Sequence, residues 1–548
     1  MSYFIGIDVG TSATKSVLFD ETGKIVFSNS SEYELIQPRN GWAQQRPNDW
    51  KNAAVETLKS IAQKVSVDEI KGIGVSGQMH GLVVLDENND VLYDSIIWCD
   101  QRTEKEVNQI IDTIGKERYI DLTLNAPNTS FTLSKLLWLK NNEPDIFSKI
   151  RKVLLPKDYI NFCLTGNFST DVSDASGTGY FDVKNRKWSK EILAAFNIDK
   201  ELLPQVYESS QVVGNITEDI AKQTGLSTNT IVVAGAGDQA AAAVGNGVIK
   251  PGCTSISLGT SGVVFTAVDK PIYDKFGRTH TFCHAVEDMW HIMGVTQGCG
   301  LSVNWFRKNF AHEYSYAELD ENAKEITSDG IIYLPYLMGE RTPHLDPNCR
   351  GSFTGISVNH NCFNFYRALL EGVCFSLKDC CEVICDSGVD LNMVKVAGGG
   401  AKSRLWLQIL ADITTNNLYS SQYVQSGALG VAILASVGSG YYNSVTEASK
   451  KMTVCDLTVT EFNAEKIDYY NSIYKTYKSL YCAIKSEKKK KMKKRVRLCA
   501  PAKAARSAPM FTNSESNDFS FKENSPAYKL RISDIDTNSI GVQSNRYY

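Results

Sequence analysis

Residues 6–15 read GIDVGTSATK, and residues 257–262 read SLGTSG, a shortened echo of the same Gly-Thr-Ser turn. The first copy lies between apolar runs at 3–7 and 16–19, the second between runs at 254–258 and 263–266. Both predict hairpins tipped by Gly, Thr and Ser. Gly lets backbone approach a ligand closely, while hydroxyls and free N–H groups are donors that suit anions, phosphates above all. Either copy alone would pass for an ordinary tight turn. Its repetition, about half the core length apart, predicts a duplicated unit.

The surrounding sequence supports duplication. Apolar residues at Trp50, Ala54, Leu58, Ile61 and Val65 have helical spacing, with Asn48 placed to cap the helix. Strands are expected at 70–75, 82–85, 91–93 and 96–98, and helices at 133–141 and 189–196. TIVVAGAGDQAAAAVGNG (230–247) reads as strand, Gly-rich turn and helix. The pattern then restarts with the second hairpin, a strand at 290–295, helices at 301–310 and 364–385, and VKVAGGGAKSRLWLQILAD (394–412), again strand, glycines, helix. A further helix is expected from about Ala428. This order gives two similar α/β domains, 1–247 and 248–484, with a cleft between them. The run KSEKKKKMKKRVR opens a basic segment, 485–548, expected to be a disordered tail.

Composition narrows the class. The 548 residues exceed one ordinary core, and 43% hydrophobic with 22% charged residues is typical of a globular protein. The net charge of −3 hides an asymmetry: 15 Lys+Arg stand against 6 Asp+Glu from Lys485 on, so the core is acidic and carries no nucleic-acid footprint. No apolar run approaches a membrane span. The 14 Cys include no CxxC pair and read as reduced thiols of a cytoplasmic protein.

Gly235-Ala-Gly237-Asp238-Gln239-Ala240 imitates a dinucleotide turn. Asp238, however, would place a carboxylate against a pyrophosphate, and no acid follows between Asp238 and Asp269 to bind a ribose. Taken alone, Asp238 reads as the N-cap of a helix at 239–244. Taken with the hairpins, it reads as an acid reaching into a cleft where both turns grip phosphates and AGGGAK (397–402) admits an adenosine. No Walker-type loop is present.

GIDVGTSATK, SGQMHGLV, LLPKDYI, SDASGTGYFD, AGAGDQA, SLGTSG, YLMGERTPH and GGGAKSRLW occur in the order found in FGGY carbohydrate kinases, a family the chain resembles from about Ile5 to Leu480. The resemblance implies two actin-like or hexokinase-like (ribonuclease H-like) α/β domains around a catalytic cleft, with ATP and Mg2+ as cosubstrate and cofactor. Asp238 falls on the family's catalytic base and Asp8 on the acid that helps hold magnesium. Gln78, Met79 and His80 fall on the sugar site and resemble members that phosphorylate D-xylulose. Trp98, Asp100, Arg102 and Gln239 also match the sugar side. Gly10, Thr11, Lys15, Gly259 and Thr260 match phosphate-binding positions, and Gly399, Gly400 and Ala401 the adenosine side.

Gln239 stands where relatives usually have Asn, one methylene shorter, which retunes sugar preference. QSGALG (425–430) and GCG (298–300) also depart from the family pattern. Arg341 in GERTPH reads as a loop anchor. The expected reaction forms D-xylulose 5-phosphate. The alternatives are a sibling kinase for ribulose or glycerol and a non-catalytic actin-like ATP-binding protein. The expected partners are a small sugar and ATP, without membrane or nucleic acid, and a homodimer stays open as an assembly.

Overall fold

The computed structural model describes residues 1–420, 426–453 and 457–499, with two short strands beyond. Residues Met1–Tyr477 form one compact unit. Within it are two seven-stranded sheets. The first contains β1 (Tyr3–Val9), β2 (Ala13–Asp20), β3 (Ile25–Glu32), β4 (Ile70–Gly77), β5 (Val212–Asn215), β6 (Ile231–Val233) and the two-residue β7 (Ala236–Gly237). The second contains β8 (Cys253–Leu258), β9 (Gly262–Val268), β10 (His280–Cys283), β11 (Trp290–Thr296), β12 (Asn392–Ala397), β13 (Leu418–Ser420) and β14 (Thr458–Thr460).

The sheets repeat one topology. The first runs β3-β2-β1-β4-β6-β5 and the second β11-β9-β8-β12-β13-β14, with β7 added beside β4 and β10 beside β11. In each, two antiparallel pairings lead to two parallel ones and then to a final antiparallel pair. The two Gly-Thr-Ser turns are the β1–β2 and β8–β9 hairpins, at equivalent places in the two sheets.

Strand alternation explains which face does what. On β1, Ile5, Ile7 and Val9 join one core with Trp50, Leu58 and Ile61 of helix α1 (Pro47–Ala62). Each such fully buried side chain is worth about 1.5–3 kcal/mol. Phe4 points to the other face, into a cluster with α2 (Asp238–Gly245) and α3 (Ser426–Gly438). Gly6 and Asp8 share that face by the period of two. Gly6 and Gly74 leave no room there for a Cβ, because the backbone of Ala428 and Val431 lies directly against them. Gly245 and Gly430 let α2 and α3 approach each other in the same way. Helix α3, from the C-terminal half, therefore packs on the first sheet.

Several local expectations are corrected. Helix α1 begins at Pro47, whose missing N–H costs nothing in a first turn; Arg46 is the N-cap, and the Asn48 amide accepts from Tyr159 Oη instead. Residues 91–93 form no strand, only an isolated bridge from Val91 to Leu85. The helix from Ile467 runs to Cys499 rather than ending before the basic run. From Lys478 the chain is a separate unit, with an antiparallel pair at Phe511–Asn513 and Asp518–Phe521. The rest of the 485–548 tail, and Gln425 of QSGALG, lie outside the described residues.

Candidate active site

Asp238 is the first residue of α2, and Gly237 is its N-cap. The capping role is thus taken by Gly, which leaves the carboxylate for other work. The turn that delivers it is held from behind by a buried ionic cluster. Lys157 Nζ pairs with Asp158 at 2.7 Å and Asp171 at 3.1 Å, and donates to Ala234 O at 3.2 Å. Ser173 Oγ donates to Asp171 at 2.6 Å and accepts from Gly237 N at 3.1 Å. Gly235, at φ 78°, lies so close to the Val75 backbone that no side chain fits. These bonds to Ala234 O and Gly237 N give the Ala234–Gly237 segment a fixed path.

Burial, and then the charge of Asp8, push the Asp238 carboxyl up to about 7, while hydrogen bonds from Gln239 pull the other way. Asp8 is raised as well by burial, opposed by Lys15, its register partner on β2. Two carboxylates that destabilise each other's charge, with one lysine nearby, suit a divalent cation bound through one or two carboxylates and phosphate oxygens. Among the described residues no group of three or more acids, histidines or cysteines forms a self-sufficient metal cage. Asp8 thus fits a magnesium ion that arrives with a nucleotide.

Met79 and His80 follow β4; Met79 lies against Gly237, the residue before Asp238, and His80 against Gly177. A Cβ on Gly237 would fall 3.0 Å from Met79 Sδ, and one on Gly177 would fall 2.5 Å from His80 Nδ1. His80 has φ 71°, a backbone state unusual for a side-chain-bearing residue. Thr132 Oγ1 and Lys135 Nζ donate to its carbonyl at 3.2 and 2.8 Å and hold it there. Phe131 and Phe282 pack on its ring, and His280 stacks on Phe282.

Gln78 faces the first hairpin rather than this pocket. Its amide donates to Gln45 Oε1 at 2.7 Å, and Gln45 donates to Thr11 O at 2.7 Å. Trp98 Nε1 donates to Thr11 Oγ1 at 3.0 Å, leaving a ring 40% exposed over the same tip. Asp100 and Arg102 are almost wholly inaccessible and bound to each other at 2.7 Å, with Arg102 over Trp42 and Asp100 accepting from Ala43 N. They brace the wall that carries Trp98. Gly10 N bonds Ala13 O within its own turn. Gly259 and Thr260 offer their carbonyls to Gly300 N and Leu301 N at the start of the Gly300–Phe310 helix.

A cavity of about 1310 Å³ extends from Asp238's neighbour Gln239, past Ser257, to Gly399, Ala401, Arg404 and Gln408. It is ample for a nucleotide. Gly399 and Ala401 line it, whereas Gly400 provides clearance for Leu258 and Trp406. One continuous space thus joins Gln239, next to Asp238, to the glycine turn after β12.

Residues 3–245 match the N-terminal domain of the FGGY family of carbohydrate kinases, and 254–439 match its C-terminal domain. The chain belongs to the FGGY family. The xylulose kinase of Bacillus subtilis is 38% identical over 485 residues, covering 88% of this chain and 97% of that protein. Among solved structures, a ligand-bound xylulose kinase from Lactobacillus acidophilus superposes with a TM-score of 0.84 at 30% identity, covering 88% of this chain and 98% of that one. A gluconate kinase from the same organism gives 0.84 at 31%, with the same coverage. The duplicated sheets and the cleft are therefore those of an FGGY sugar kinase, and the actin-like fold expected from sequence is found.

Sequence reasoning missed Gly177, Lys135, His280 and Gln45, which reach the site from segments far apart along the chain. Arg341 is the clearest reversal. Its backbone is tied down, with N–H donating to Glu340 at 2.8 Å and the carbonyl accepting from Leu345 N at 2.6 Å, but among the described residues its side chain makes no hydrogen bond or ion pair.

Proposed function

We propose that this FGGY kinase transfers the γ-phosphoryl group of ATP to the terminal hydroxyl of D-xylulose, with Asp238 as general base. The observation that carries the reading is the position of Asp238: a buried carboxylate raised to about 7, between Gly237, which packs on Met79, and Gln239, which lines the nucleotide-sized cavity. Phosphoryl transfer asks the protein mainly for positioning and charge compensation. The terminal hydroxyl gives its proton to Asp238 as its oxygen attacks in line. ATP would lie along the cavity, with its base end at Gly399 and Ala401 and its phosphates toward Lys15 and the hairpin tips. Asp8 would help hold a magnesium ion, which would supply charge neutralisation of the phosphates.

The curated xylulose kinases that match along almost their whole length support the choice of sugar. The gluconate kinase neighbour defines the competitor. An ADP-release assay on D-xylulose, D-ribulose, glycerol and D-gluconate tests the assignment. The expected result is the highest kcat/KM for D-xylulose, and a higher value for any of the others contradicts it.

A further inference from the structure

Three polar groups converge at the sugar end of the cleft, and their hydrogen-bonding states can be read. His80 Nδ1 lies 2.8 Å from Gly177 O. A carbonyl only accepts, so Nδ1 carries the proton and Nε2 presents a lone pair. His280 Nδ1 lies 3.2 Å from Asn125 Oδ1. The Asn125 amide has a fixed orientation, because Nδ2 donates to Thr123 O and Thr281 O at 2.7 and 2.8 Å while Oδ1 accepts from Thr281 N at 3.1 Å. His280 is therefore also protonated on Nδ1 and offers Nε2 as an acceptor. Burial pushes both imidazoles down to about 3, so both are neutral near pH 7.

Arg341 is the third group. Its loop is pinned beside His280: Thr342 N donates to Val295 O at 3.0 Å, and Thr342 Oγ1 donates to Arg278 O at 2.6 Å. Its acidic neighbour is already engaged, since Glu340 accepts from Thr296 Oγ1 at 2.6 Å and Gln297 N at 2.9 Å. The guanidinium has no hydrogen bond or ion pair of its own among the described residues. Its charge nevertheless acts on both His80 and His280. This partly buried guanidinium can only donate, so its N–H groups are left for an acceptor that is not part of the described protein.

Two acceptors and one donor fork, walled by Phe131 and Phe282, complement a polyhydroxy ketone. We propose that Arg341 donates to the carbonyl oxygen of the bound ketose while Nε2 of His80 and of His280 accept from its hydroxyls, which makes Arg341 the residue that selects ketose over alditol. This deepens the D-xylulose reading and rests on it. Reduction of the carbonyl turns a pure acceptor into a hydroxyl with altered geometry, and a charge-assisted bond of this kind carries about a 10- to 100-fold effect.

The test compares kcat/KM for D-xylulose and for xylitol in wild type, Arg341→Met and Arg341→Lys, with ATP titration as a check on folding. Wild type should favour the ketose by about 10- to 100-fold. Arg341→Met should lose that preference by losing the ketose alone, and Arg341→Lys should restore part of it. An unchanged ratio, or an equal loss on both sugars, overturns the proposal, as does a wild type that prefers D-gluconate. If wild type prefers a ketose other than D-xylulose, the functional reading fails separately, and the same ratio with that ketose and its alditol still decides the role of Arg341.

Discussion

At the scale of the residue, small groups govern the site as much as charged ones do. Gly177 abuts the His80 ring, so Gly177→Ala must push the imidazole or shift its own turn. Since small misplacements of positioning groups are expensive, kcat/KM for the sugar should fall about 10- to 100-fold with ATP affinity retained. Steady-state kinetics at saturating ATP would show it, and unaltered sugar kinetics would mean that the pocket yields freely. The raised pKa of Asp238 gives a second expectation. A general base works deprotonated, so kcat/KM should climb with pH through about 7 and level off above it. An acid limb near 4, where an ordinary aspartate titrates, would show that the carboxylate is not perturbed in solution. Asp8, Asp238, Met79 and His80 could be singled out in the sequence as candidates because each stands in a contiguous motif. Gly177, His280 and the free guanidinium of Arg341 were not, because their meaning comes from neighbours about 60 to 260 positions away. Asp100 and Arg102 show something the motif does not disclose: their side chains are inaccessible and paired with each other.

At the scale of the element, the decisive contact is between α2, which carries Asp238, and α3. Gly245 and Gly430 allow the two backbones to meet, with Gly430 directly against Ala241 O. Gly430→Ala would force the helices apart, and overpacking of that kind costs about 1–3 kcal/mol. Denaturant unfolding should show the loss, accompanied by lower kcat because α2 moves; full stability would mean that the seam relaxes without cost. Hydrophobic periodicity gave α1 and the long helix Cys362–Asp386 to within a few residues, since amphipathic spacing is a local property. The seam was invisible for the opposite reason. A stripe of small residues has no periodic signature, and only the packing of α3 on β1 and β4 reveals why Gly6 and Gly74 are glycines.

At the scale of the whole molecule, the repeated Gly-Thr-Ser turn did report a duplicated sheet, because both hairpins occupy the same place in the same strand order. The C-terminal end divides sharply. Tyr470, Tyr474 and Tyr477 are buried, with Tyr474 bonded to Asp379 and Tyr477 to Tyr336, so the first turns of the last helix belong to the kinase unit. Truncation after Lys485 should leave kcat and thermal midpoint nearly unchanged, whereas truncation after Lys466 should lower the midpoint sharply. Activity lost with the shorter deletion would assign the basic segment a part in the fold.

The central claim is that Asp238 takes the proton of the sugar hydroxyl, and Asp238→Asn examines it most directly. Asn is nearly isosteric and is tolerated at a helix start, but its amide accepts no proton near neutral pH. Coupled ADP release with D-xylulose, run beside nucleotide titration and circular dichroism, should show kcat lower by about 10²-fold or more with fold and ATP binding intact. An Asn variant that is folded, binds ATP and turns over at a rate near wild type would contradict the account.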